Sequence, residues 1–271
     1  MKRSNLLGAV CVCVFALAGP TVAHAVPVSG QGTWEQTLKF RDLDGDLSTA
    51  EAWYDTTLDI TWLADAGVTG RASWDFQVAW AAGLDINGVD DWRLPGLSPI
   101  GGSSTFDIAF SNNATTDVGY APTTTDGTDG GWRNGAGDPV SEMGHMFYVT
   151  LANLGSCTPD DADPSGCVQQ PGSGVLNTGP FSNLIFFVYW SGLELDADDA
   201  WYLDFGDGEQ NTFEKDDSLF HWRAWAVHDG DVGVVPEPST GLLIALGLVG
   251  IAAGRSIGGI GCVSVSTSDN G

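Results

Sequence analysis

The chain has 271 residues and a formal net charge of −25, with 35 Asp and Glu against ten Lys and Arg. Such an acidic surface repels nucleic acid, anionic lipid and acidic polysaccharide, so it excludes nucleic-acid binding and favours cations, neutral glycans or proteins as partners. Hydrophobic residues make up 43% of the sequence and 11 residues are Trp, which indicates a packed core rather than a disordered acidic chain.

Residues 1–25 have the pattern of a signal peptide. Lys2 and Arg3 precede an apolar run over residues 6–18, and Ala23-His24-Ala25 supplies the small residues that signal peptidase requires. The sequence therefore predicts an exported mature chain that begins at Val26, with an N-terminal extension over residues 26–51 and a folded domain over residues 52–231.

Clusters of acidic residues invite a calcium interpretation. Counted as an EF-hand from Asp42, the first cluster has Leu47 where the turn glycine belongs and Trp53 where the bidentate glutamate belongs, so that motif fails. A looser oxygen site for calcium stays open, with solvated loop acids as the alternative, and no cofactor is required. The candidate clusters are Asp42, Asp44 and Asp46; Asp196, Asp198 and Asp199; and Asp160, Asp161 and Asp163.

The hydrophobic periodicity predicts an α+β domain with two helices and a mostly antiparallel sheet. Ser73 and Gly83 bound a first helix, and Ser141 and Gly155 bound a second helix over residues 142–154. Between them, residues 96–139 read as long loops around a short strand. Strands are expected over residues 53–62, 184–190, 201–205 and 220–227, with a hairpin turn at Gly206-Asp207-Gly208.

Two cysteines, Cys157 and Cys167, remain in the mature domain, ten positions apart in a loop rich in Pro, Asp and Gly. In an oxidising compartment such a pair closes a local disulfide, worth about 3 kcal/mol in the chain-entropy model. Metal binding is the alternative, but neither a second Cys pair nor a nearby His completes a tetrahedral set.

Several aromatic motifs recur in a characteristic order, from Asp59-Ile60-Thr61-Trp62 through Asp91-Trp92-Arg93-Leu94-Pro95 to Tyr189-Trp190-Ser191 and Trp222-Arg223-Ala224-Trp225. Over residues 52–231 the chain resembles the DUF1566 or Lcl C-terminal family. That resemblance implies a C-type-lectin-like fold and a binding or adhesion role in the envelope or outside the cell, with no catalytic residues to carry over.

The motif residues themselves favour structural roles. We expect Trp92 and Leu94 to lie in the core, Arg93 to pair with a carboxylate and Pro95 to fix the exit of the chain. A second set of aromatic residues could stack on a sugar ring if two were exposed on one face, although core packing is the commoner fate of tryptophan. This set consists of Trp190, Trp201, Trp222 and Trp225.

Signals for catalysis are absent from the sequence. His145, His221 and His228 belong to no HExxH motif, and the sequence contains no GxSxG. We therefore predict a non-enzymatic binding or adhesion protein linked to exopolysaccharide, biofilm or cell-surface assembly. The alternatives are a glycan-processing hydrolase that uses paired carboxylates and a passive structural protein of the matrix.

The C-terminus combines three signals in order. A linker over residues 232–240 ends in Val235-Pro236-Glu237-Pro238-Ser239-Thr240, an uncharged apolar stretch covers residues 241–254, and Arg255 supplies a basic stop. This order resembles the PEP-CTERM sorting signal of Gram-negative bacteria. The resemblance implies a membrane helix over residues 241–255, recognition by an exosortase and a place in the cell envelope. The tail over residues 256–271 is atypical, and an ordinary membrane anchor is the alternative.

Overall fold

A computed structural model describes residues 31–122, 130–159, 166–216 and 219–233. The expected signal peptide, the Val235–Thr240 motif, the apolar stretch and Arg255 lie outside these ranges, as do Asp160, Asp161 and Asp163. Among the residues that the structure describes, no helix is long and apolar enough to cross a membrane.

The described ranges contain three α-helices and eleven β-strands. The helices are α1 Trp34–Thr37, α2 Trp74–Ala82 and α3 Glu142–His145, and α3 continues into a π-helical turn over Met146–Thr150. The strands are β1 Leu38–Arg41, β2 Ala52–Asp55, β3 Ile60–Leu63, β4 Phe110–Ser111, β5 Val118–Gly119, β6 Cys157–Pro159, β7 Cys167–Gln169, β8 Val188–Glu194, β9 Asp199–Asp204, β10 Gln210–Glu214 and β11 Val227–Asp229.

The strands form two main sheets, and all but one of their pairings are antiparallel. The first sheet has the order β1-β2-β3-β11, and the second has the order β4-β5-β10-β9-β8 with β4 and β5 parallel. These sheets and the few helices confirm the α+β class. Strand β1 pairs along its whole length with β2 and Leu38 is buried, so the folded unit begins before Ala52.

A third, two-stranded sheet consists of β6 and β7. Its strands are antiparallel, and Cys157 forms a disulfide with Cys167 across them, with the two Cα atoms 5.0 Å apart. The predicted disulfide is therefore confirmed.

Aromatic side chains connect the first sheet to the second. The ring of Trp62 on β3 lies 4.5 Å from that of Trp225, and Trp225 in turn contacts Phe205, which directly follows β9, with 6.1 Å between ring centroids. The indole N–H of Trp225 donates to the carbonyl of Leu63 at 2.7 Å. Each such ring pair adds about 0.5–1.5 kcal/mol beyond its burial, so this chain of rings stabilises the contact between the sheets.

The predicted strand over residues 53–62 is wrong, because the chain turns in its middle. The Asp55 carboxylate accepts hydrogen bonds from the backbone N–H groups of Thr57 and Leu58, at 2.9 and 3.3 Å, and Asp59 adopts a positive φ of 54°. A side chain that caps the backbone two residues ahead creates a turn. The segment is therefore the hairpin β2–β3.

The first predicted helix is confirmed as α2, whereas the second is shorter than predicted. Ser141 caps α3 by accepting a hydrogen bond from the N–H of Gly144 at 3.1 Å. However, the helical turns end at Thr150, whose carbonyl accepts a hydrogen bond from Thr33 at 3.0 Å instead of continuing the helix. Gly155 is therefore not the helix stop.

Two of the predicted strands are shifted along the chain. Strand β8 begins at Val188 rather than at residue 184, and β11 contains only the end of the segment over residues 220–227. The preceding residues form single bridges instead, from Trp222 to Ala72 and from Arg223 to Tyr189. Because this segment changes its pairing partner from one residue to the next, it cannot form a continuous ladder.

Replacing Asp55 with Asn should stabilise the protein at neutral pH. Asp55 is fully buried, and burial raises its pKa to about 6 although the hydrogen bonds from the Thr57 and Leu58 N–H groups oppose this. Because the pKa in the unfolded chain is lower, the wild type loses stability as the pH rises through about 6. Asn retains the accepting oxygen without the charge, so the Asp55→Asn variant should gain about 1–3 kcal/mol at pH 7.5 and much less at pH 4.5.

Urea denaturation at both pH values measures this difference. The exposed Asp46→Asn variant is the control for loss of a carboxylate. An Asp55→Asn variant whose stability difference from wild type is the same at both pH values would contradict the interpretation.

Candidate functional site

A surface groove of about 460 Å³ lies where the Asp91–Pro95 segment meets α2 and α3. Apolar side chains form much of its walls, and Arg93 and Glu142 supply its charged groups. The lining residues are Val78, Ala82, Trp92, Arg93, Leu94, Gly96, Leu97, Ser98, Pro139, Val140, Glu142 and Gly192.

The Asp91–Pro95 segment is fixed to the core at every second residue. Trp92 and Leu94 are buried, and the indole N–H of Trp92 donates to Val89 O at 3.0 Å. Between them, Arg93 exchanges two backbone hydrogen bonds of 2.8 Å with Val227 on β11. The carbonyl of Pro95 accepts hydrogen bonds from the Ser191 hydroxyl and from the N–H of Gly192, both at 2.8 Å. The predicted core positions of Trp92 and Leu94 are confirmed.

The guanidinium of Arg93 uses all five of its N–H donors within the protein. Two N–H groups bind the Glu142 carboxylate at 2.7 and 2.8 Å, and two bind Asp229 Oδ1 at 2.6 and 2.9 Å. The fifth donates to the carbonyl of Leu94 at 3.0 Å. The predicted pairing of Arg93 with a carboxylate is confirmed, and two carboxylates take part.

The charge of Arg93 is stabilised by this arrangement. Burial opposes the charged form, but the hydrogen bonds and charge of Glu142, followed by those of Asp229, outweigh burial and raise the pKa of Arg93 above its ordinary value. With no donor left over, Arg93 cannot bind an anionic ligand without losing an existing partner. The groove is therefore not an anion site.

Glu142 also holds the two walls of the groove together. Its Oε2 atom accepts a hydrogen bond from the N–H of Gly96 at 2.6 Å, and its own N–H donates to Gly96 O at 3.1 Å. One step further along, Ser98 donates to the carbonyl of Val140 at 2.8 Å. Gly192 approaches the opposite side so closely that an added Cβ would lie 3.0 Å from Leu94 O. The shape of the groove is thus set before any ligand binds.

The chemistry of the groove suits a neutral ligand with an apolar face. Val78, Leu97 and Val140 offer apolar contacts, while the charged groups at its edge are satisfied by one another. A glycoside hydrolase needs a protonated carboxylic acid and a second carboxylate across the cleft. Here Glu142 and Asp229 both bind the same guanidinium instead of facing a ligand.

The four tryptophans predicted as a sugar-stacking surface lie in the core, so that interpretation needs correction. Trp190, Trp201 and Trp225 are fully buried and Trp222 is 7% exposed. Their rings are covered by other rings: Trp190 lies 4.3 Å from Trp222, and Trp201 lies 4.7 Å from Phe106. A sugar could not stack on them unless the core opened.

The first acidic cluster brings together a different set from the one predicted. Asp42, Asp44 and Glu51 each place a carboxylate oxygen within 4.8 Å of the others. Asp46 instead accepts hydrogen bonds from the backbone and hydroxyl of Ser48, at 3.0 and 2.6 Å. Because Asp46 is directed at Ser48, Glu51 takes the place predicted for it.

The second predicted cluster does not converge. Asp196 accepts hydrogen bonds from the backbone N–H groups of Asp198 and Asp199, at 2.9 and 3.0 Å, and so caps its own turn. Of the described residues, only Asp42, Asp44 and Glu51 form a group of three carboxylates with metal-like spacing.

Beyond the folded domain, residues 234–256 match the family model of the PEP-CTERM protein-sorting motif. The chain carries a PEP-CTERM sorting motif. The predicted motif residues Val235, Pro236, Glu237, Pro238, Ser239, Thr240 and Arg255 all fall within this match. The motif implies export and processing by an exosortase at the cell surface.

The PEP-CTERM motif is the part of the chain for which a match was found. No curated protein and no solved structure matches the chain. The resemblance of residues 52–231 to the Lcl C-terminal family has no support from these comparisons and stays a prediction.

Sequence reasoning did not identify the carboxylates that bind Arg93. Glu142 lies 49 residues from Arg93 and Asp229 lies 136 residues away, so neither is linked to it by local spacing. The available signals were indirect: Glu142 directly follows a helix cap, and Asp229 lies four residues after the last aromatic motif. Glu51 could have been found as a carboxylate close downstream of the Asp42–Asp46 run.

Glu142→Gln should destabilise the domain by about 1–3 kcal/mol, because a half-buried Arg93 would lose a charged partner. The matched control is Glu194→Gln, which removes an exposed carboxylate that lies 3.2 Å from Lys215 and should cost less than about 1 kcal/mol. Urea denaturation of the exported protein gives both values. Equal losses of unfolding free energy in the two variants would show that the Arg93–Glu142 pair stabilises the domain no more than an exposed ion pair does.

Proposed function

We propose that this PEP-CTERM protein is a non-enzymatic binding or adhesion protein of the cell surface that takes part in exopolysaccharide, biofilm or surface assembly. The observation that carries this proposal is the sorting motif at residues 234–256, which directs an exported domain to exosortase processing. Signal peptidase and exosortase are its processing partners, and the membrane holds it through residues 241–255 until it is processed.

The groove beside Arg93 is the proposed ligand site. Its preformed walls reduce the entropic cost of binding, and its satisfied charges favour a neutral glycan or a neutral segment of a surface protein. A net charge of −25 supports the same preference, because acidic ligands would be repelled. A C-type-lectin-like arrangement related to the Lcl family is the finer fold that we propose for the domain.

Calcium is proposed as a stabilising ion at the loop that holds Asp42, Asp44 and Glu51. Carboxylate oxygens are the ligands that calcium prefers, and extracellular modules bind it with dissociation constants of about 0.1–1 mM. Asp42 is buried and fixed by the N–H groups of Asp44 and Gly45, at 3.1 and 2.7 Å, so one ligand is already oriented.

Two alternatives make different demands on the molecule. A glycan-processing hydrolase would need Glu142 or Asp229 to leave Arg93. A passive matrix protein would have no use for a concave groove with fixed walls. The geometry around Arg93 therefore favours binding over both alternatives.

Filling the groove should weaken ligand binding. Ala82 is exposed and lines the groove, whereas Ala79 is exposed on the same helix outside the groove lining. On an array of neutral and acidic glycans, the wild type and Ala79→Trp should retain the same neutral ligand. The Ala82→Trp variant should lose at least about tenfold in affinity, because the indole ring would occupy the space in which the ligand contacts the apolar walls.

Thermal unfolding, combined with the same array, separates the calcium proposal from the groove proposal. Chelator or Asp42→Asn should lower the thermal stability of the domain, while Asp46→Asn should not. An absence of ligand both with calcium and with chelator would contradict the lectin-like role. Retention by Ala82→Trp at the wild-type level would place the ligand elsewhere.

Replacing Pro236-Glu237-Pro238 with three alanines should prevent processing, because an extended, proline-fixed segment is what the sorting enzyme recognises. Mass spectrometry of the envelope fraction should find a C-terminus near Pro238 in the wild type and the intact C-terminus in the variant. Thr267→Ala, outside the matched residues 234–256, is the control. Identical C-termini in the wild type and the alanine variant would contradict exosortase processing.

A further inference from the structure

The last four described residues, Gly230–Gly233, form a strap that is hydrogen-bonded to β3 and β1 of the first sheet. The strap leaves β11 with a hydrogen bond from Gly230 N to Asp59 O at 2.8 Å. The hydroxyl of Thr61 donates to Gly230 O at 2.8 Å and accepts from Val232 N at 3.4 Å. Thr61 is fully buried, so this hydroxyl holds the strap against the sheet.

Asp231 binds the strap to the opposite edge of the same sheet. Arg41 on β1 donates two hydrogen bonds of 2.6 Å to the two carboxylate oxygens of Asp231. The Arg41 side chain is only 14% exposed, and its guanidinium lies 5.2 Å from the centre of the Tyr54 ring. Gly233 N then donates to Asp231 Oδ1 at 2.9 Å. Strand β1 thus fixes the chain almost up to Gly233, the last described residue before the sorting motif.

This anchoring leaves very little chain between the folded domain and the sorting motif. The motif begins at residue 234, directly after the strap. Three residues separate Gly233 from Pro236, and an extended chain spans at most about 3.6 Å per residue, so Pro236 lies within about 11 Å of the strap. The exosortase must therefore engage the motif while the folded domain is almost in contact with the membrane.

That proximity is electrostatically unfavourable. The chain has a formal net charge of −25, and the screening length at physiological salt is about 8 Å, comparable to the available reach. An anionic membrane surface therefore repels the domain at the distance that processing requires. Release of the strap would add four residues and up to about 14 Å of reach.

We propose that the strap restrains access of the exosortase to the sorting motif by keeping the motif close to the folded domain, and that the Arg41–Asp231 ion pair holds the strap in place. This inference rests on the proposed processing of the motif and concerns how that processing is regulated. Because Arg41 and Asp231 are 190 residues apart in the sequence, the pair forms only when the first sheet is complete.

The test compares processing rates of full-length variants in envelope membranes isolated from the producing cells. Asp231→Ala removes the ion pair that holds the strap. An insertion of eight Gly and Ser residues after Gly233 lengthens the chain between the strap and the sorting motif and leaves the strap intact. Asp90→Ala removes an exposed carboxylate elsewhere and is the charge-matched control. Mass spectrometry follows the ratio of processed to intact chain over time.

We expect Asp231→Ala and the insertion each to be processed at least about threefold faster than wild type at low salt, and Asp90→Ala to be processed at the wild-type rate. Raising NaCl from about 20 to 300 mM should accelerate the wild type and leave the insertion variant nearly unchanged, because salt screens the repulsion only where the reach is short.

Two failures are distinguishable. If the variant with alanines at residues 236–238 is processed like wild type, the proposed sorting function is wrong. If those alanines stop processing but Asp231→Ala and the insertion variant are processed no faster than wild type, the strap does not restrain processing and the sorting function stands. The insertion keeps the test valid if Asp231→Ala fails to fold.

Discussion

The guanidinium of Arg93 is the interaction on which the rest of the domain depends. It binds Glu142 at the start of α3 and Asp229 at the end of β11, while its backbone pairs with Val227. A half-buried charge is costly to desolvate, and here that cost is offset because every donor has an acceptor. The helix, the last strand and the Asp91–Pro95 segment are therefore held in one arrangement, and the groove is the space that this arrangement leaves between them.

The domain separates its stabilising groups from its surface charge. Aromatic rings connect the two sheets, from Trp62 through Trp225 to Phe205, while the chain as a whole carries a net charge of −25. Aromatic packing does not weaken as salt or pH changes the surface charge, so a strongly acidic exported protein can stay folded. The same distribution explains why the tryptophans are unavailable to a ligand and why the candidate site is an apolar groove with internally paired charges.

Local features of the fold could be predicted from the sequence, and features that depend on distant residues could not. Helix α2 followed from its periodicity between Ser73 and Gly83, and the disulfide followed from two cysteines in an exported loop. The β2–β3 turn was missed because polar and apolar residues continue to alternate through it, and only the Asp55 side chain, which caps the turn, interrupts the strand. Arg93 was recognised as a paired residue, but its partners are brought to it by the fold. The acidic run predicts Asp46 as a candidate calcium ligand, but Ser48, two residues later, donates its backbone N–H and its hydroxyl to the Asp46 carboxylate.

The matched sorting motif begins directly after Gly233, the last described residue of the folded domain. Amide hydrogen exchange on the exported protein tests the central role of Arg93 most directly, by comparing the N–H groups of Arg93, Gly96 and Val227 with that of Leu63 in β3. If Arg93 holds the domain together, all four should exchange only through global unfolding, with the same free energy of opening. Exchange of Arg93, Gly96 and Val227 through local openings several kcal/mol below that of Leu63 would contradict the account.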